Sequence, residues 1–315
     1  MTKNSISIGE GVSRLGRAFA ICGGGLRRMS LATVVAMGTL ANAGYATENE
    51  TDAPTSAIVV TTVTEVLPIL ANADVVFLGE VHDNPAHHAV QAELVAQLRP
   101  SAVVWEMITQ AQAASLSPEL LHHGPALAEA LDWAESGWPD FTLYQPIFAA
   151  GAKAVQFGAL VPRAETRRAM EIGVATFFGP DAGLYGLTEP LPKADQTMRE
   201  ADQLANHCNA VPAEILPVLV DLQRLRDAEL ARGVTMALEQ SMVAGSEQTA
   251  GPVIVITGNG HARRDRGAPV ALQLARPDLA IASLGQSEDG QIAGAFDVEL
   301  DAPALFRPDP CLAFQ

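Results

Sequence analysis

The chain is short of basic residues, cysteine and tyrosine, and each shortage excludes something. Lys and Arg number 20 against 36 Asp and Glu, for a formal net charge of −16. Phosphate recognition needs clustered Lys and Arg, so nucleic acid is excluded as a partner, and charge-driven attachment to anionic lipid is disfavoured. Three cysteines in 315 residues do not make a disulfide scaffold. The fold must rest on its core, and 48% hydrophobic residues are enough for one. Three tyrosines leave few phenolic groups for chemistry. Also missing are a G-x-S-x-G elbow, a P-loop, H-E-x-x-H, C-x-x-C-H and a dinucleotide fingerprint. Their absence leaves a serine hydrolase, an NTPase and a covalent c-type cytochrome without support.

The basic residues that are present concentrate at the start. Residues 1–46 hold Lys3, Arg14, Arg17, Arg27 and Arg28 against the single acid Glu10. An apolar run from Leu31 to Leu40 follows, then small residues to Ala46, then the acidic stretch from Thr47. That is the pattern of a secretory signal, with cleavage expected after Ala43 or Ala46. The run is too short for a stable membrane-spanning helix. Arg27-Arg28 forms a partial twin-arginine pattern, so both general and twin-arginine export stay open. Cys22 precedes the apolar run, on the wrong side for a lipid anchor. The expected location is the periplasm. Residues 47–57 read as a polar linker and 58–315 as the mature domain. Its cysteines, Cys208 and Cys311, are expected to pair in an oxidising compartment.

Beyond the linker, apolar runs alternate with helical segments. Val75–Leu78, Ala102–Trp105, Val155–Phe157, Val253–Ile256 and Ala280–Ala282 read as strands. Runs apolar on both faces predict parallel strands covered by helices, hence a mainly parallel α/β sheet. Residues 163–245 lack a strand signal over most of their length and carry a long amphipathic stripe through Ile215, Leu219, Leu222 and Leu230. They predict a helical insertion or lid.

Two motifs follow strands directly. Gly79-Glu80-Val81-His82-Asp83 comes after the first, and Thr257-Gly258-Asn259-Gly260-His261 after the fourth. Both have the form Gly-x-x-His. Ligands of open parallel sheets bind beyond the carboxyl ends of the strands, so His82 and His261 are expected at one edge, with Glu106 at the end of the second strand. The glycines Gly258 and Gly260 are expected to allow a sharp turn. Two imidazoles with carboxylates can bind a divalent metal or move protons. A metal-dependent hydrolase built on Glu80, His82 and His261 is therefore one reading. Tyr144, read from its own surroundings, is a half-buried aromatic with a hydrogen-bonded hydroxyl.

Taken together, VVFLGEVHDNPAHH, WEM, SGWPDFTLYQPIF, the His207-Cys208 pair, QRLRDAELA and ITGNGHARRDRGAP resemble ChaN-like proteins, within the wider group of TraB, the TIKI proteases and erythromycin esterase. The resemblance spans about Thr62 to Pro277. It implies a haem-binding protein of iron uptake, acting as a homodimer outside the cytoplasm and served by an outer-membrane haem receptor. It leans away from an enzyme. It also implies a tyrosine as iron ligand, which maps onto Tyr144, with His82, His88 and His261 nearby and Glu80, Glu106, Gly258 and Gly260 around them. The wider group implies instead a metal or hydrolytic site at the Gly-x-x-His motifs. Two departures from the pattern are Leu230, where methionine is expected, and Asn209, where glycine is expected.

Overall fold

A computed structural model describes residues 57–244, 251–309 and 311–312. The expected signal, and the linker up to residue 56, lie outside the described residues. None of the described helices is long and apolar enough to cross a membrane.

The described strands form one seven-stranded sheet in the order β1-β7-β6-β2-β5-β3-β4. They are β1 Ile58–Val60, β2 Val75–Leu78, β3 Ala102–Trp105, β4 Val155–Gly158, β5 Val253–Ile256, β6 Ile281–Glu288 and β7 Val298–Ala302. Every pairing is parallel. All four residues of β2, β3 and β5 are buried, because alternate side chains enter opposite faces and both faces are covered. Val76, Leu78, Val103, Trp105, Ile254 and Ile256 enter one core, while Val75, Phe77, Val104, Val253 and Val255 enter the other.

Helices α1 Val63–Leu70, α2 Pro85–Leu98 and α3 Phe141–Ala150 contribute to the first core. Helix α2 starts where Asn84 accepts a hydrogen bond from the Ala86 N–H with Pro85 in the first turn, a favourable start for a helix. Asp140 caps α3 in the same way, through Thr142. On the other face run α4 Lys193–Asn206, the 29-residue α5 Leu216–Ala244, the short α6 Asn259–Ala262 and α7 Ala268–Ala275. The stretch expected to be helical thus holds α4 and α5, preceded by the helices Arg163–Ile172 and Val174–Phe178. Four of the expected strands match β2 to β5. The fifth is longer than expected, and β1 and β7 are additional.

The disulfide Cys208–Cys311, with Cα atoms 5.4 Å apart, joins the segment after α4 to the C-terminal tail. The tail is held a second time by Arg307, which donates to Asp83 and Glu288.

Candidate functional site

Strand register decides where the motifs meet. Leu78 pairs with Ile256, and Ile256 with Trp105, so β2, β5 and β3 end level at the centre of the sheet. Gly79-Glu80, Thr257-Gly258 and Glu106 therefore emerge side by side. Gly79 is required for contact: a Cβ there would lie 2.4 Å from Asn259 Oδ1 and 2.9 Å from the Leu284 carbonyl. Gln286 donates to the Gly79 carbonyl and Gln91 to the Leu78 carbonyl, so the backbone leaving β2 is fixed.

His82 is held from behind. Its Nδ1–H donates to Glu80 Oε1 at 2.7 Å, and its ring lies against Trp138 with centroids 4.9 Å apart. Nε2 then faces the cleft, 4.0 Å from Glu106 Oε1. Burial opposes protonation of His82, yet the bond to Glu80 and the charges of Glu106, Glu80 and Asp83 outweigh it and hold the pKa at about 9.

His261 has a parallel arrangement. Its Nδ1–H donates to Asp227 Oδ1 at 2.7 Å, and Nε2 lies 3.6 Å from Glu106 Oε1. Burial again opposes protonation, and the charges of Glu106 and Asp227 outweigh it and raise the pKa. Between the two imidazoles, burial works against ionisation of Glu106. His261, His82, the Thr257 hydroxyl at 2.6 Å and the Gly258 N–H at 2.8 Å overcome that and lower its pKa.

These groups open into a cleft of about 310 Å³, whose walls include His82, Glu106, Gly258, Gly260, His261 and, from α4, Arg199. Gly258 is needed for space. Its φ is −64°, an ordinary value, but a Cβ would come 2.8 Å from His82 Nε2. The expectation that Gly258 and Gly260 serve a sharp turn is corrected on that point: neither is among the positive-φ glycines.

Three other expectations need correction. Tyr144 does not face the cleft. It is fully buried on α3, and its hydroxyl donates to Glu80 Oε1 at 2.9 Å. Burial and the Glu80 charge push its pKa far up, which opposes the phenolate that iron ligation needs. His88 is also behind the site: its Nε2–H donates to the His82 carbonyl at 2.8 Å, and its ring meets Tyr144 edge-on. Finally, Glu80, His82 and His261 do not converge on one point. Glu80 turns to His82, Tyr144 and His88, and the carboxylate lying between the two imidazoles is Glu106. Among the described residues no group of three His, Cys, Asp or Glu side chains is arranged to hold a metal ion.

His87, adjacent in sequence, is a structural tie. Its Nδ1 accepts from the Val81 N–H and its Nε2–H donates to the Ser287 carbonyl. The residues that sequence reasoning missed are Asp227 and the arginines of the cleft. Asp227 had a signal: it is a carboxylate four residues after Gln223 on a helix whose neighbours Leu222, Leu225, Ala228 and Leu230 are apolar. Such a position is buried only with a partner.

The family model described as haem-binding uptake, Tiki superfamily, ChaN matches residues 66–272. No curated protein matches the sequence. Among solved structures the chain is similar to ChaN of Campylobacter jejuni, described as showing cofacial heme binding. The TM-score is 0.53 at 20% identity, over 75% of this chain and 89% of that one. A weaker likeness, TM-score 0.43 at 14% identity, is to the type III effector HopBA1, over 81% of this chain and 99% of the other.

Proposed function

The chain belongs to the haem-binding uptake family of the Tiki superfamily, the ChaN family, and from that membership we propose that it binds haem in the cleft between His82 and His261. The observation that carries the placement is the pair of imidazoles turned toward one cleft at the carboxyl edge of a parallel sheet, where ligands of such sheets bind. The residues fit a porphyrin carrier. Val220 in the wall offers apolar surface, and His82 and His261, both with raised pKa values, offer cationic N–H groups to an anionic porphyrin. Ligand sites commonly measure about 300–1,000 Å³. A cleft of about 310 Å³ therefore takes in part of a macrocycle and leaves the rest at the mouth, where a second copy of the chain can close over it. A homodimer, and exchange of haem with an outer-membrane receptor, belong to the same proposal.

The test is a hemin titration followed by absorbance. The unmodified protein is expected to give a saturable Soret band. His82→Ala with His261→Ala is expected to weaken binding about tenfold or more, whereas Tyr144→Phe, a change behind the site, leaves the band position unchanged. Absence of a saturable band in the unmodified protein overturns the reading.

Export to the periplasm is part of the proposal. It is supported by the charge and apolar pattern of residues 1–46 and by a disulfide that an oxidising compartment preserves. The mass of the protein recovered from the periplasm should correspond to a chain beginning near residue 44 or 47. Full-length mass, or recovery only from the cytosol, contradicts it.

A further inference from the structure

The cleft is lined by more positive groups than an acidic chain leads one to expect. Arg199 on α4, and Arg263 and Arg266 in the loop after α6, join His82 and His261 in its walls, in a protein of formal net charge −16. The carboxylates that hold these cations are mostly placed behind them. Arg199 makes a two-pronged contact with Asp195 at 2.8 and 3.0 Å, and Arg263 makes one with Asp265, its Nε–H donating at 2.9 Å. His261 is held by Asp227 and His82 by Glu80. None of these four carboxylates is part of the cleft wall. Arg266 is the exception, because its partner Asp202 also lines the cleft.

The arrangement fixes the cations in the cleft walls. The Arg199 Nη1–H reaches the Arg266 carbonyl at 3.4 Å, tying α4 to the loop. Gly294 leaves the space that the Arg263 side chain occupies: a Cβ there would lie 2.5 Å from its Nε. The guanidinium side chains are largely shielded, at 12–16% exposure, and charge-assisted hydrogen bonds strengthen where water is scarce. A guanidinium has five N–H donors. Arg266 uses one on Asp202, and Arg263 uses its Nε and Nη2 on Asp265, which leaves its Nη1 free for a ligand.

We propose that Arg199, Arg263 and Arg266 form a carboxylate-binding rim that selects a dianionic ligand, so that a porphyrin is held by its propionates at the rim with its ring toward His82 and His261. The proposal rests on the haem reading above and adds the part of the ligand that is recognised. A rim of fixed guanidinium donors matches carboxylate geometry in pairs, whereas the floor of the cleft already holds an ionised carboxylate in Glu106 and repels a second one there.

The experiment compares hemin with hemin dimethyl ester, in which both propionates are esterified, by fluorescence quenching and absorbance on the exported protein. Hemin is expected to bind about tenfold or more tightly than the ester. Arg199→Gln, Arg263→Gln and Arg266→Gln together should remove that preference. Equal binding of hemin and ester to the unmodified protein overturns the rim and leaves the haem reading standing. Failure of both porphyrins to bind overturns both. The comparison of the two porphyrins needs no variant, so a fold-destabilising effect of the arginine changes does not weaken it.

Discussion

At the scale of single residues, the site depends on carboxylates that orient imidazoles. Glu80 is the clearest case. It is 2% exposed and accepts from both His82 and Tyr144, and a buried carboxylate is tolerated only with such partners. Its effect on His82 is measurable. The folded pKa of about 9 lies above the ordinary value of 6.5. Protonation of His82 therefore contributes stability that is fully present below pH 6.5 and is lost as pH rises through 9. An NMR titration of the His82 ring should give a midpoint near 9 and a lower one in Glu80→Gln. A midpoint near 6.5 in the unmodified protein contradicts the arrangement. Glu80, His82, Glu106 and His261 were legible in the sequence because each stands within a few residues of the end of an apolar run. For Asp227 the apolar helical surroundings were a signal of burial, but its pairing with His261, 34 residues away, was not legible. Nor was the distinction between Glu80 and Glu106: which of two carboxylates faces a cleft depends on side-chain direction, and strand ends alone do not give it.

At the scale of elements, α4 is the wall of the cleft with the least packing behind it. It contains no buried residue, yet it supplies Arg199, Asp202, Gln203 and Asn206 to the cleft. Its C-terminal end is secured by the disulfide between Cys208 and Cys311, 103 positions apart. Closing so long a loop restricts the unfolded chain and is worth about 2–4 kcal/mol. Replacing both cysteines by serine is expected to lower the urea midpoint by a corresponding amount and to speed amide exchange in Lys193–Asn206. An unchanged midpoint and unchanged exchange would mean that α4 is held by other contacts. The helical character of this region was legible from the stripe through Leu219, Leu222 and Leu230. The strands at the far edge were not. β1 has three residues, two of them exposed, and Val298–Ala302 mixes buried and exposed positions with two acids, Glu299 and Asp301, inside. The interior of β6 was hidden because Ser283, Gln286 and Ser287 are polar but buried, which interrupts the apolar run that reveals a strand.

At the scale of the whole molecule, one parallel sheet with a core on each face brings distant segments to a single edge. The fold class was legible because strands apolar on both faces recur between helices. The strand order was not, because β5 enters between β2 and β3 only after the long helical segment, and no local pattern records which neighbours a returning strand will choose. That insertion aligns Gly79-Glu80 with Thr257-Gly258 and Glu106, and so makes the cleft. An acidic molecule thereby has, among its described residues, a concave surface lined by Arg199, Arg263 and Arg266 together with His82 and His261, which suits the proposed anionic porphyrin. Crystals grown with hemin and measured at the iron absorption edge test this placement most directly. The account predicts one strong anomalous peak per chain in the cleft bounded by His82, Glu106 and His261. A peak elsewhere on the chain, or clear density for a porphyrin against any other face, would contradict it.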